Sequence, residues 1–286
     1  MANLKELRSR ITSVSSTMQI TSAMKMVSAA KLNKAQQAIT AMRPYADKLT
    51  ELLQSLSASL EGDSASVYAE QREVNKVLIV AIASNRGLAG AFNSNIIKAV
   101  KGLYENDYAG KQVDFMTIGK KVNDVVSKTH TVIANKSGVF DDLTFANVAD
   151  IAEELMETFT NGSYDKIVVV YNKFRNAASQ DVTTEQFLPI LPIENATASN
   201  IDYIFEPSKE EIVEQLIPKS LKTQLYKAIR DSFASEHGAR MTAMHKATDN
   251  ATELRDALKL SYNKARQAAI TNEILEIVGG AEALNS

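Results

Sequence analysis

The sequence predicts an α/β protein, in which a long antiparallel coiled coil of the N- and C-terminal helices is joined to an inserted three-layer, Rossmann-like α/β domain. The terminal segments almost lack helix breakers, and strand and helix patterns alternate between them. Residues 1–61 contain no glycine and one proline, Pro44, and residues 239–278 contain neither. At ~1.5 Å per residue the first segment alone reaches roughly 90 Å, too long for a compact domain to bury. Each long helix therefore needs another helix as its partner.

In the N-terminal segment, residues spaced alternately three and four positions apart, starting at Leu4, are nearly all apolar. Only Thr21, Lys25 and Ser28 depart from this rule. A repeat of 3.5 residues sustained over this length predicts a left-handed supercoil rather than a straight surface helix. We call these positions the N-terminal seam: Leu4, Leu7, Ile11, Val14, Met18, Thr21, Lys25, Ser28, Leu32, Ala35, Ile39, Met42, Ala46, Leu49, Leu53, Leu56 and Leu60.

The C-terminal segment is predicted to be helical from Ser208, with Glu211 in the position that a capping box requires. Alanine recurs at every fourth residue from Ala239 to Ala251, which lets another helix approach closely. Such stripes are also typical of an ordinary helical bundle, but the length of the segments favours the coiled coil. The apolar face continues at Leu254, Leu258, Tyr262, Ala265, Ile270, Ile274, Ile277, Ala281 and Leu284.

Between the two helical segments, short apolar strands alternate with helices. Val77–Ala83 is a continuous apolar run rich in β-branched residues, as in a strand covered on both faces. This alternation predicts βαβ units and a mainly parallel sheet, and places the domains at residues 1–61, 74–206 and 208–286. Further strands are predicted at Val113–Ile118, Thr131–Ala134, Ile167–Tyr171 and Val182–Leu188, and helices at Asn93–Tyr104, Lys120–Ser127 and Asn147–Phe159.

Composition limits the class of protein. Hydrophobic residues make up 45% of the chain, yet no apolar run approaches the ~18 residues of a membrane span. The chain has no cysteine, which excludes disulfides and thiolate metal sites. The heptad pattern begins at Leu4 and leaves no room for a signal peptide, so we expect a cytosolic location.

Charge is unevenly distributed along the chain. Residues 1–60 hold eight basic and three acidic side chains, and residues 218–286 hold ten and eight. Residues 61–217 hold fourteen basic and twenty-three acidic side chains. Basic terminal helices predict a negatively charged partner, unless they are simply the solvated flanks of a coiled coil. The basic residues are dispersed with few aromatics among them, which favours an acidic protein over nucleic acid.

Few residues suggest catalysis or ligand binding. The histidines His130, His237 and His245 lack the four-residue spacing of a helical metal pair, and we interpret them as surface or partner-contact residues. The Gly87–Gly90 turn lacks both the dinucleotide fingerprint and the P-loop Gly-Lys-Ser/Thr, so we interpret it as a tight strand-to-helix turn. An anion contact by Arg86 is the alternative. We expect no catalytic residue, cofactor or metal.

Four segments of the chain resemble the gamma subunit family of F-type ATP synthases. They lie in both terminal helices and in the turn after the first strand, in the order found in the family. One departure is Asn85, where the family more often has an acid. The matching residues are Ile20-Thr21, Ala23-Met24, Met26-Val27-Ser28 and Lys31-Leu32; Ser84 to Gly90 with Asn93; Ser235-Glu236-His237, Ala239-Arg240-Met241, Ala243-Met244, Ala247-Thr248 and Asn250-Ala251; and Ala265-Arg266-Gln267, Ile270-Thr271, Glu273, Glu276 and Gly280-Ala281.

The resemblance implies a central rotor shaft that turns inside a ring of alpha and beta subunits and couples proton or sodium flow to ATP synthesis or hydrolysis. It implies a non-catalytic subunit with no cofactor. The α/β domain is expected beside the epsilon subunit and on the membrane rotor ring of c subunits. The expected location is peripheral, on the cytoplasmic side of a bacterial cell membrane. The alternatives are a nucleotide-binding α/β module and a static coiled-coil scaffold with helical arms.

The resemblance also implies residues that contact the catalytic ring. Met24 and Lys25 match positions that face an acidic lever segment of beta. The expected contacts from the last helix are Arg240, Gln267, Thr271 and Glu273. The polar interruption at Thr21, Lys25 and Ser28 then has two interpretations: it serves the partner, or it loosens the coil where the second helix diverges.

Overall fold

The computed structural model describes residues 4–59, 67–190 and 209–284. The chain divides into two units: a helical unit, Met1–Ser28 with Met241–Ser286, and a sheet unit, Ala29–Arg240. The predicted cap at Ser208 and the seam position Leu60 lie outside the described residues, as do the side chains of Leu53 and Leu56. None of the described helices is long and apolar enough to cross a membrane.

The first and last helices are much longer than the others. Helix α1 is Leu4–Ser59 and helix α5 is Lys209–Leu284, with 56 and 76 residues. Pro44 lies inside α1 and Pro218 inside α5, and neither proline ends its helix. The elements between them are β1 (Lys76–Ile82), α2 (Phe92–Gly102), β2 (Gln112–Ile118), α3 (Lys120–Val126), β3 (Val132–Asn135), α4 (Phe145–Thr160), β4 (Lys166–Phe174) and β5 (Gln180–Leu188).

The five described strands form one mixed sheet in the order β3-β2-β1-β4-β5. Strand β1 is central and pairs in parallel with β2 and β4, with Val77 opposite Val113 on one side and Lys166 on the other. Strand β3 is parallel to β2, whereas β5 is antiparallel to β4. The predicted fold class is confirmed: long terminal helices flank a mainly parallel sheet.

Helices cover both faces of the sheet, because β1 is apolar on both of its faces. Helices α2 and α3 pack on one face, and α4 packs on the other beside residues 217–229 of α5. The contribution of α5 was not predicted, since the sequence assigned that whole helix to the coiled coil. Its inward stripe has a four-residue spacing, at Ile217, Leu221, Leu225 and Ile229.

The N-terminal seam is the covered face of α1. Every seam position from Leu4 to Leu49 is buried or half-buried. In the sheet unit Leu32, Ala35, Ile39, Ala46 and Leu49 are buried. Each buried leucine contributes roughly 1.5–3 kcal/mol to stability relative to an exposed one. The 3.5-residue pattern therefore identified the buried face correctly.

The polar interruption in the seam is also covered. In the helical unit Thr21 and Ser28 are buried, and their hydroxyl groups are hydrogen-bonded. The Thr21 and Thr248 hydroxyl oxygens lie 2.8 Å apart, and Ser28 Oγ donates to the Met24 carbonyl oxygen at 2.8 Å. Satisfied hydroxyl groups can be buried at little cost, so the seam continues through this stretch.

The helices of the helical unit run antiparallel. Arg255 Nη1 lies 3.4 Å from the Met18 sulfur, and Lys25 Nζ lies 3.2 Å from His245 Nδ1. Since residue numbers fall along α5 as they rise along α1, the two chain directions are opposite. The predicted antiparallel arrangement is observed in this unit.

We predict that Gly119→Ala destabilises the protein by about 3 kcal/mol or more. Gly119 has φ +127°, and a Cβ there would lie 2.1 Å from the Ala83 carbonyl oxygen at the end of β1. Gly138→Ala is the matched control, because a Cβ at Gly138 meets no atom within 4 Å. Urea unfolding followed by circular dichroism measures both; equal midpoints would contradict the steric argument.

Candidate functional site

The six predicted contact residues do not form one cluster. Met24 and Lys25 are half-buried on α1, and Gln267, Thr271 and Glu273 are exposed on α5, all in the helical unit. Arg240 is the last residue of the sheet unit and is 7% exposed. His245, the α5 neighbour of Lys25, precedes Gln267 by roughly 33 Å of helix at ~1.5 Å per residue.

Lys25 belongs to a small polar network that crosses between the two helices. Its ammonium group lies 3.2 Å from His245 Nδ1, which in turn lies 3.5 Å from an Asp249 carboxylate oxygen. An ammonium group carries three donors, so Lys25 has donors beyond the one that points at His245. Lys25 is thus held in position while it can still bind an acidic group.

The last turns of α5 expose apolar side chains over a wide arc. Every residue from Thr271 to Ala281 is exposed, and Ile277 reaches 72%. At ~100° per residue, the exposed side chains of Ile274, Leu275, Ile277 and Val278 span an arc of about 160°. Contiguous exposed apolar surface of this kind is typical of a protein-binding surface. Thr271 and Glu273 lie within this stretch, and Gln267 lies about one helical turn before it.

Arg240 is held inside the sheet unit by a buried ion pair and two carbonyl groups. Its Nη1 lies 2.5 Å from Glu236 Oε1, and its Nη2 donates to the carbonyl oxygens of Arg86 and Gly87, both at 3.2 Å. Burial raises the pKa of the Glu236 carboxyl group, while Arg240, Lys31 and Arg86 favour its ionised form. Removing one member of a buried pair leaves an uncompensated charge and costs about 3–5 kcal/mol.

The turn that Arg240 contacts, Ser84–Gly90, also uses its own polar groups internally. Ser84 Oγ lies 2.6 Å from the Arg86 carbonyl oxygen, and Asn93 Oδ1 accepts from the Ser84 amide at 3.1 Å. Leu88 has φ +62°, a left-handed conformation uncommon for a branched residue, and is 66% exposed. These bonds favour the interpretation as a tight strand-to-helix turn.

Asn85 bridges two further loops with both ends of its amide. Its Nδ2 donates to the Ser137 carbonyl oxygen, and its Oδ1 accepts from the Lys120 amide, each at 3.0 Å. An aspartate in this position retains the acceptor and lacks the donor. The asparagine therefore uses both its donor and its acceptor end within the chain.

His237 was interpreted as a surface or partner-contact residue, and that interpretation is wrong. It is 5% exposed, and its ring lies 4.5 Å from the ring of Phe233 at an angle of 83°. Neither ring nitrogen has a hydrogen-bond partner in the part of the chain that the structure describes. Burial lowers the pKa of His237 to about 3, and Arg240 and Lys31 add repulsion. Its four-residue spacing from Phe233 was the available sequence signal.

We predict that His237→Phe reduces the loss of stability on mild acidification. The unfolded chain binds a proton at His237 near pH 6.5, whereas in the folded protein the pKa is about 3. The contribution of His237 is therefore complete above pH 6.5 and declines as pH falls toward 3, by at most ~1.4 kcal/mol per pH unit. Urea unfolding at pH 7 and pH 5 measures this slope. Glu236 is present in both proteins, so parallel slopes would contradict the prediction.

The whole chain is similar to known proteins. A sequence model of the ATP synthase family matches residues 3–284. The ATP synthase gamma chain of Flavobacterium johnsoniae is 74% identical over 286 residues, covering 100% of both chains. The gamma chain of Christiangramia forsetii is 70% identical over 285 residues, again covering 100% of both.

Two solved structures share the fold. The central stalk and c-ring structure of the Tetrahymena thermophila mitochondrial ATP synthase contains a chain 25% identical to this one, with a TM-score of 0.60. The match covers 80% of this chain and 99% of that one. A rotor chain of the Euglena gracilis mitochondrial ATP synthase is 22% identical, with a TM-score of 0.67 and coverage of 93% and 98%. By its matching family model and its full-length relatives, this chain belongs to the ATP synthase family.

Proposed function

We propose that this chain is the central rotor shaft of an F-type ATP synthase, its gamma subunit, and couples ion flow through the membrane sector to ATP synthesis or hydrolysis by rotation. The observation that supports this most is full-length identity of 74% to a protein named as a gamma chain. The antiparallel helical unit and the exposed apolar end of α5 suit a shaft. The chain is then a non-catalytic subunit of an enzyme complex.

The proposed partners are the alpha and beta subunits of the catalytic ring, the epsilon subunit and the c ring. A shaft that is not threefold symmetric makes different contacts with each of three equivalent catalytic sites. Unequal contact free energies shift each site between open and closed populations, and rotation passes these states from site to site. This physical role needs no catalytic residue on the shaft.

The domain boundaries 1–61, 74–206 and 208–286 remain part of the proposal. In this division both terminal domains are shaft helices, and the middle domain meets the epsilon subunit and the c ring. The complex is associated with a membrane, and we propose the cytoplasmic side of a bacterial cell membrane for this chain.

We propose that Met24 and Lys25 contact an acidic lever segment of beta, and that Gln267, Thr271 and Glu273 contact the ring from α5. The free donors of Lys25 and the exposed apolar arc beside the α5 residues support these two contacts. Arg240 is also proposed as a ring contact. For that contact its guanidinium group must leave Glu236 and the two carbonyl oxygens, or share them with the partner.

We predict that the isolated chain hydrolyses no ATP, and that adding it to alpha and beta subunits produces rapid, cooperative turnover. A steady-state ATPase assay of the chain, of the ring and of the reconstituted mixture tests this. A nucleotide-binding module would hydrolyse or retain nucleotide alone, and a static scaffold would leave ring turnover unchanged. Either result would exclude the shaft function.

We predict that Lys25→Glu lowers ion pumping per ATP hydrolysed, because like charges then face each other in some rotational states. Pumping and hydrolysis are measured together in membranes that carry the assembled complex. The loss should lessen at high salt, since Lys25 is partly exposed. Lys34→Glu, an exposed α1 position outside the seam, is the control. If pumping falls only in proportion to the assembled complex, Lys25 has a structural role alone.

A further inference from the structure

The sheet has a crevice where folds of this class bind their ligands. After β1 the chain goes to β2 and β3 on one side, and then crosses to β4 on the other side of β1. In doubly wound sheets, ligands bind outside the carboxyl ends of the strands at such a switch point. Here that point lies between the Ser84–Gly90 turn after β1 and the end of β4 near Asn172.

Helix α5 of the same chain fills this crevice. Ser235 Oγ donates to the Asn172 carbonyl oxygen at 3.0 Å, and Arg240 donates to the carbonyl oxygens of Arg86 and Gly87. Ala239, between them, packs against Ala89 and Phe92. The contacts thus join the ends of both strands to six consecutive residues of one helix.

The close approach of α5 depends on a small residue. A Cβ at Gly238 would lie 3.1 Å from the Ala177 Cα and 3.2 Å from its carbonyl oxygen. The loop after β4 therefore rests directly on the backbone of α5. Asn172 Nδ2 donates to the Phe92 carbonyl oxygen at 3.3 Å and joins β4 to the start of α2.

The Glu236–Arg240 pair differs from other ion pairs of the same chemistry in this chain. Glu6 and Arg10 have the same order and the same four-residue spacing, yet both side chains are more than half exposed. Glu236 and Arg240 are buried, and the Arg240 guanidinium group also donates to two carbonyl oxygens of the Ser84–Gly90 turn. Buried and bonded to three acceptors through its two Nη atoms, the Arg240 guanidinium group makes a fixed contact rather than a solvated one.

We propose that residues Ser235–Arg240 occupy the place in this crevice where related folds bind a ligand, and that Arg240 is the positioning residue that fixes the β1 turn to α5. The mechanical part rests on the proposed shaft function: force applied to the α/β sheet passes into α5 through this contact. The crevice then holds a fixed contact that transmits force between the sheet and α5, and does not bind a small molecule.

The structural test is hydrogen–deuterium exchange of the full-length chain. In Arg240→Lys the amides of residues 84–90 should exchange at least tenfold faster, because lysine cannot bind the carboxylate and both carbonyl oxygens together. Arg10→Lys, the exposed matched pair, should leave them unchanged. The swap Glu236→Arg with Arg240→Glu should not restore protection, since a carboxylate at position 240 faces two carbonyl oxygens.

The mechanical test uses the assembled complex. ATP-driven ion pumping per ATP hydrolysed should fall at least twofold in Arg240→Lys and stay unchanged in Arg10→Lys. Glu236→Gln keeps the guanidinium group, and with it the proposed ring contact, at nearly the same volume. A smaller fall of pumping in Glu236→Gln therefore assigns the loss to the crevice contact, and this variant also serves if Arg240→Lys does not fold.

Each remaining outcome contradicts one part of the proposal. Unchanged exchange at residues 84–90, or protection restored by the swap, contradicts the proposal that Arg240 fixes the β1 turn to α5. Faster exchange with an unchanged pumping ratio overturns force transfer through Arg240. If the wild-type chain confers no turnover on alpha and beta subunits, the shaft function is wrong. The exchange experiment still tests whether Arg240 fixes the β1 turn to α5.

Discussion

The rest of the structure depends on the need to cover an apolar seam that is much longer than a globular domain. Helices of 56 and 76 residues cannot bury such a stripe alone, so the ends of the chain must supply cover for each other. This constraint brings residues 220 or more positions apart into contact, as at Thr21 with Thr248 and Lys25 with His245. Long-range contacts of this kind fix the antiparallel direction.

Helix α5 meets two different requirements along its length. Residues 217–229 repeat apolar side chains every four positions and serve as a layer of the sheet unit, whereas residues 271–281 are exposed. Between them, residues 235–240 are small or polar and touch strand ends. The layer on the sheet and the exposed segment therefore belong to one uninterrupted helix.

The features visible in the sequence were those that depend on local periodicity. The seam follows from a repeat of 3.5 residues, and strand β1 follows from a continuous apolar run. The inward position of Arg240 and the packing of Leu221 on the sheet depend on contacts with elements more than 50 residues away. The Lys25–His245 distance likewise required the register between α1 and α5, which no local pattern specifies.

The polar groups around the β1 turn bond within the chain, whereas the end of α5 is exposed. Around the β1 turn, Asn85 and Arg240 bond to other parts of the chain, and Asn93 accepts from the Ser84 amide within the turn. Beyond His245, α5 instead leaves apolar side chains in water, an unfavourable state for a chain alone. Contiguous exposed apolar surface of this kind is typical of a surface that a partner covers. Within the described residues, the end of α5 therefore suits a partner better than the crevice of the sheet does.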